Sequence, residues 1–305
     1  MINGQSVPTI TMQTGEVQWW RLINASVQGS KGAFFGSFTG GIAFRQIAQD
    51  GVQYAWQNYQ VQINTPQTAF LMAPGNRVDI LVKAPSSAGS GTLTVGGTAI
   101  ANVNVVTGSG CNTVWPETQS QFPQLPSFLD DITTWSETRT LKYQMCAKGS
   151  TPTINGKKFE ENRVDEAMLL DTKQEWTIQN YSIGTTNGGG PLHPFHIHVN
   201  PFQIVEMYDP TGSLKQVFPQ ANGKVWRLPA PWIWWDTFPL PLGTTTSASN
   251  CPDDKDITPG YIKFRTWFAD FAGKFVDHCH ILAHEDRGMM QLVEVYDNHA
   301  MVYHH

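Results

Sequence analysis

Short alternating runs of hydrophobic and polar residues dominate the chain. ITMQTGEVQWWRLINA, FRQIAQDGVQY, YQVQINTPQTAFLMAPGNRVDILVKA and GTLTVGG alternate in this way, with Gly, Pro, Asn and Asp between the runs. A period of two marks a half-buried strand, because successive side chains leave opposite faces of the pleat. No long segment sustains a 3.6-residue period, and the best helical candidate is the short stretch PSFLDDI. Strands of this length and spacing predict an all-β fold of sandwiches or barrels.

The pattern also repeats. Residues 2–25 and residues 154–182 both open with Ile-Asn-Gly, continue through an apolar strand and a polar turn, and end in a strand carrying Trp and then Asn. Two similar β units are the economical reading. Between them CNTVWPETQSQFPQLPSFLDDITTW is rich in Pro, Ser, Thr and Gln. The expected organisation is therefore a unit at 1–107, a surface linker at 108–137 and a unit at 138–305.

Composition narrows the class. With 305 residues, 40% hydrophobic and 15% charged, the chain has material for two cores and little tendency to disorder. A net charge of −5 argues against nucleic acid as a partner. No run of apolar residues is long enough for a membrane span. The start, MINGQSVPTITM, lacks the basic and apolar regions of a secretory leader. Four cysteines (Cys111, Cys146, Cys251, Cys279) do not make a disulfide framework. If a metal takes Cys279, one disulfide among the other three is allowed, with no basis for choosing the pair.

The chemistry is concentrated near the C-terminus. HCHILAHEDRGMM at 278–290 holds Cys279, His284 five residues on, and Met289 five further. Thiolate, imidazole and thioether are the soft and borderline ligands of a blue-copper site. PLHPFHIHVNPFQIV supplies further histidines at His193, His196 and His198. If 276–281 is extended, Cys279 points to one face while His278 and His280 point to the other. One strand would then serve two metal sites. His196, His198, His278 and His280 would gather in a histidine-rich centre, and His193 would join Cys279 and His284. Lone histidines and buried cysteines are usually structural, but six of the nine histidines fall in these two motifs. Zinc is the chemical rival, although structural zinc sites usually use paired cysteines.

HPFHIH followed about eighty residues later by HCHILAHEDRGMM closely resembles the two C-terminal copper motifs of the laccase-like multicopper oxidases. The resemblance runs along the whole chain. Residues 2–107, with GEVQWWRLINAS and APGNRVDILV, are similar to the family's middle cupredoxin domain, and 138–305 to its last. It implies two cupredoxin-like Greek-key β-sandwich or barrel domains. It further implies that His193, Cys279, His284 and Met289 hold a type 1 copper, that His196 is a type 2 ligand, and that His198, His278 and His280 bind the type 3 pair. Electrons from a phenol, an aromatic amine or a low-valent metal ion would reach the cluster by way of Cys279, and dioxygen would be reduced to water. Glu285 matches an acidic position that looks like a proton donor, against the plain reading of a solvated carboxylate. The resemblance also implies that the parent protein is periplasmic or secreted.

The family's cluster takes eight histidines, four of them from a first domain, whereas no histidine precedes His193 here. The expectation is half a cluster, completed by a missing N-terminal cupredoxin domain or by a second copy. The alternative function is a non-catalytic electron-transfer or copper-binding module with only the type 1 copper filled. A two-domain nitrite reductase is weaker, because its cysteine has one flanking histidine and Cys279 has two. Trp232, Trp234 and Trp235 read as core packing rather than as a substrate wall, and Trp19 and Trp20 as split between core and surface. The tail histidines His299, His304 and His305 read as a frayed end or a purification tag.

Overall fold

The computed structural model describes residues 1–27, 33–110, 113–145, 151–183, 191–249 and 251–297. It is built almost wholly of β-strands, as the period-two pattern predicts. The chain forms two compact units. One comprises Met1–Asn24, Phe34–Met72 and Asn76–Asp130; the other comprises Ala25–Ala33, Ala73–Gly75 and Asp131–His305.

The first unit is a sandwich. One sheet has the order Thr9–Gln13, Thr98–Val106, Gly89–Val95, Phe34–Phe38, Phe70–Met72; the other has Val17–Ile23, Arg77–Lys83, Ala43–Gln49, Val52–Gln53. Met12, Phe70, Leu93 and Val103 from the first sheet bury against Phe44, Val78, Ile80 and Val82 from the second. Trp20 packs against this core, while Trp19, its neighbour on the other face of the strand, is exposed. The period of two accounts for that split.

One expectation fails here. YQVQIN alternates like a strand, but Trp56–Asn64 is an α-helix. Tyr59 and Gln62, three apart, are its buried residues. Tyr59 stacks on Phe122 at 4.5 Å between ring centroids. Gln62 accepts from the backbone N–H of Gln46 at 2.7 Å and donates to its carbonyl at 2.8 Å. Two tertiary partners at helical spacing outweigh a short local alternation. Conversely, PSFLDDI holds only a single 3₁₀ turn, Ser127–Leu129.

The second unit is also two-layered. Its larger sheet runs Thr153–Ile154, Glu137–Gln144, Thr172–Asn180, Gly260–Phe268, Phe202–Tyr208, Val225–Arg227, with Trp234–Trp235 alongside Phe202–Tyr208. The facing sheet runs Val164–Leu169, Met290–Tyr296, Gly273–Cys279, Pro194–Ile197, Thr237–Pro239. Phe195 of the second sheet packs on Phe202 and Phe264 of the first, at 5.5 and 5.3 Å, and Trp176 stacks on Phe264. Trp234 and Trp235 are buried, and Trp235 packs edge-on against Phe238 at 4.9 Å.

The internal repeat is visible in the backbone. Asn3-Gly4 and Asn155-Gly156 both have positive φ at the two turn positions, the conformation that favours Asn-Gly. In each unit an early strand then pairs in parallel with the last one: Thr9–Gln13 with Thr98–Val106, and Val164–Leu169 with Met290–Tyr296.

Candidate metal centre

The strand Pro194–Ile197 pairs with Gly273–Cys279 so that Phe195 lies opposite Cys279, and His196 opposite His278. Directly opposed residues share a face of the sheet. Phe195 is fully buried in the core, which turns Cys279 inward beside it and sends His196 and His278 to the other face. The core packing of one phenylalanine thus sorts the ligand candidates into two groups.

The inner group is His193, Cys279 and His284, whose donor atoms all lie within 4.8 Å of one another. Cys279 Sγ is 3.5 Å from Nδ1 of each histidine. His193 sits just before its strand with φ of 29°, a sparsely populated conformation for a side-chain-bearing residue. His284 lies on the one-turn helix Leu282–Glu285. Met289 is fully buried; its N–H donates to the carbonyl of His284 at 2.9 Å, and its own carbonyl accepts from the N–H of Cys279 at 3.0 Å. The backbone of Met289 therefore ties the two ligand segments together. Burial pushes the Cys279 thiol well up, while it pushes His193 well down and His284 down to about 4, with Arg287 adding to the last. Burial thus disfavours the charged form of all three groups.

The outer group is His196, His198 and His278, again with donor atoms within 4.8 Å of one another. His280 stands beside them, its ring 5.4 Å from that of His196 and 5.5 Å from that of His278, and its buried Nδ1 has no hydrogen-bond partner among the described residues. Nε2 of His198 and Nε2 of His278 face each other at 3.3 Å. Two lone pairs at that distance repel unless a proton or a cation lies between them, so the arrangement fits a metal. His278 Nδ1 lies 3.2 Å from the Cys279 carbonyl and 3.2 Å from Glu285 Oε2. Glu285 is held below its ordinary range, chiefly by the neighbouring His278. Burial lowers His196 to about 4 against the opposing pull of Asp236.

Sequence reasoning missed the residues behind these rings. His196 Nδ1 lies 2.8 Å from the Asp236 carbonyl and 3.0 Å from Thr237 Oγ1, which in turn donates to Asp236 Oδ1 at 2.9 Å. With its proton on Nδ1, His196 presents Nε2 to the cluster. The signal available was Asp-Thr directly after the tryptophan pair 234–235, but only the register of Thr237 opposite His196 gives it meaning. Ser182, against His193, carried no sequence signal. Cys251 is disulfide-bonded; Cys111, Cys146, His299, His304 and His305 lie outside the described residues.

The profile of the family described as multicopper oxidase matches residues 132–254 and 257–299. The chain belongs to the multicopper oxidase family. A multicopper oxidase of Staphylococcus aureus is 30% identical over 144 residues, which is 47% of this chain and 24% of that protein. A laccase of Bacillus subtilis is 23% identical over 318 residues, covering 98% of this chain and 54% of that protein. Among solved structures, a Campylobacter jejuni multicopper oxidase described as a metallo-oxidase superposes with a TM-score of 0.63 at 20% identity, over 97% of this chain and 56% of that one. A Pseudomonas parafulva multicopper oxidase gives 0.67 at 16%, over 97% and 60%. This multicopper oxidase chain thus spans about half the length of these structures, and the likeness to them is one of fold: all-β, with cupredoxin-like sandwiches. Among the described residues no helix is long and apolar enough to cross a membrane.

Proposed function

We propose that this chain is the electron-accepting portion of a laccase-like multicopper oxidase. His193, Cys279 and His284, with Met289, would hold a blue type 1 copper. His196 would be a type 2 ligand, and His198, His278 and His280 would belong to the type 3 pair. The observation that carries this reading is the back-to-back placement of two donor groups on opposite faces of one strand, one around Cys279 and the other around its neighbour His278. Thiolate with two imidazoles suits copper, and a structural zinc site has no use for the second group. In the same reading residues 1–107 and 138–305 are the middle and last cupredoxin domains, joined by the linker at 108–137.

When bound, copper supplies one-electron redox chemistry, so that four donor oxidations match the four electrons and four protons that turn one dioxygen into two waters. The residues of this chain do the positioning. Cys279 offers sulfur to one site, while its carbonyl accepts from Nδ1 of His278 in the other. Glu285 holds His278 with Nε2 toward His198. As a proton carrier it would start ionised, taking up a proton before delivering one. Phenols, aromatic amines and low-valent metal ions are the proposed donors. The disulfide at Cys251 supports a periplasmic or secreted setting. The exposure of His198 favours a second reading, a copper-binding electron-transfer module with the type 1 site alone filled.

Copper per chain, with visible and paramagnetic resonance spectra and oxygen uptake, tests these readings. About one blue copper without oxygen uptake is expected for this chain by itself. Copper near four per chain with oxygen consumed would mean that other residues complete the cluster, and the absence of any blue copper would overturn the assignment.

The protonation states make a separate prediction. Between about pH 5 and 8 the inner site carries its proton on sulfur, because burial raises the thiol and lowers both imidazoles. Binding copper must release that one proton. Copper(II) affinity is therefore expected to rise about tenfold per pH unit over this range, measured by chelator competition. A steeper dependence of two or three protons would show that the imidazoles are charged in the apoprotein.

A further inference from the structure

Ser182 lies two residues beyond the strand Thr172–Asn180 and is fully buried. Its Oγ is 2.7 Å from Nε2 of His193, which is itself fully buried. The backbone N–H of Met145 donates to the same oxygen at 2.9 Å. Ser182 is held in turn: its N–H donates to Asn180 Oδ1 at 2.9 Å. Asn180 Nδ2 donates to the carbonyls of Pro191 and Leu240, both at 3.2 Å. The Leu240 N–H returns to the His193 carbonyl at 3.2 Å. Ser182, Asn180 and Leu240 thus link the ring of His193 to its own backbone carbonyl through a chain of hydrogen bonds.

The other ring nitrogen of His193, Nδ1, faces Cys279 Sγ. A neutral imidazole that binds a metal through Nδ1 carries its proton on Nε2. In a fully buried site that proton needs an acceptor, and the Ser182 oxygen stands at hydrogen-bond distance. We propose that Ser182, anchored by Asn180, is a positioning residue of the type 1 site. It accepts Nε2–H of His193, fixes the ring and its tautomer, and makes Nδ1 a better donor toward copper(II). The proposal rests on the copper reading of that site.

The test uses the full chain with Ser182→Ala and Ser182→Thr. Affinities for copper(II) and for copper(I) are each measured by chelator competition. Ser182→Ala is expected to weaken copper(II) binding about 10- to 100-fold, the usual effect of removing such a partner. It should weaken copper(I) much less, because the more basic imidazole favours the higher charge, so the reduction potential rises. Ser182→Thr, which keeps the hydroxyl, is expected to restore both. If the serine only supports the backbone at Met145, both oxidation states weaken alike and the potential stays put. That outcome, or copper(II) affinity unchanged in Ser182→Ala, overturns the proposal. Should the alanine variant not fold, the copper(I)-loaded wild-type chain decides. Its His193 Nε2–H is expected to be slow to exchange in proton–nitrogen spectra, and rapid exchange with solvent would refute the bond. Failure of the copper reading is distinguishable, since the wild-type chain would then give no blue band at all.

Discussion

The Cys279→Ser variant is expected to lose its blue absorption completely while remaining folded. The substitution is nearly isosteric, and Cys279 is fully buried between Nδ1 of His193 and Nδ1 of His284, both able to accept from a serine hydroxyl. The fold therefore has little reason to fail. The metal site does, because a hydroxyl neither ionises at neutral pH nor offers the soft, polarizable sulfur that gives blue copper its charge-transfer band. Affinity at the inner site should fall by more than the about 10- to 100-fold typical of losing an outer partner. The outer histidines, on the opposite face, keep their geometry, so any metal binding there should be unchanged from the wild-type chain. Visible spectra at matched copper loading, with a resonance spectrum for residual copper, give the answer. A blue Cys279→Ser protein would refute the assignment of the sulfur ligand.

The second large effect is on stability. Trp176 is fully buried, stacks on Phe264 at 5.9 Å, lies 6.1 Å from Phe268, and donates from Nε1 to Gln174 Oε1 at 2.9 Å. Trp176→Ala is expected to destabilise the second unit by about 3–5 kcal/mol, the cost of lost transfer energy plus a cavity that neighbouring rings fill only in part. The loss lies one ring away from Phe195, which sets the direction of Cys279. Denaturant unfolding of the apoprotein, followed by two probes because two units need not unfold together, should show one transition moving and the other staying. A shift under about 1 kcal/mol would mean that the layer collapses around the gap, and would remove Trp176 from the supports of the site.

Legibility of the fold followed the range of the interactions. Trp19 and Trp20 could be split between surface and core from the alternation alone, since the pleat sends neighbours to opposite faces. The same rule separated Cys279 from His278 and His280. The Ile-Asn-Gly echo announced two related turns because Asn-Gly favours the positive φ that both adopt. The helix Trp56–Asn64 escaped, since Tyr59, Val61 and Ile63 also alternate, and partners distant in sequence, such as Phe122 and Gln46, show which residues are inward.

The site divides in the same way between local and long-range determinants. The sequence by itself determined the donor types, their division between two motifs, and the two-faced strand at Cys279, because these depend on side-chain chemistry and a local period. It did not determine which histidine meets which. The pairing of Phe195 with Cys279 and of His196 with His278 is a matter of strand register between segments more than eighty residues apart. The tertiary structure alone decided that Ser182 backs His193, that Asp236 and Thr237 back His196, and that Glu285 backs His278. Hydrogen bonds hold only within a few tenths of an ångström and along a narrow range of angles. A ring's orientation therefore depends on where the whole sandwich places its neighbours, which no local pattern of residues can specify.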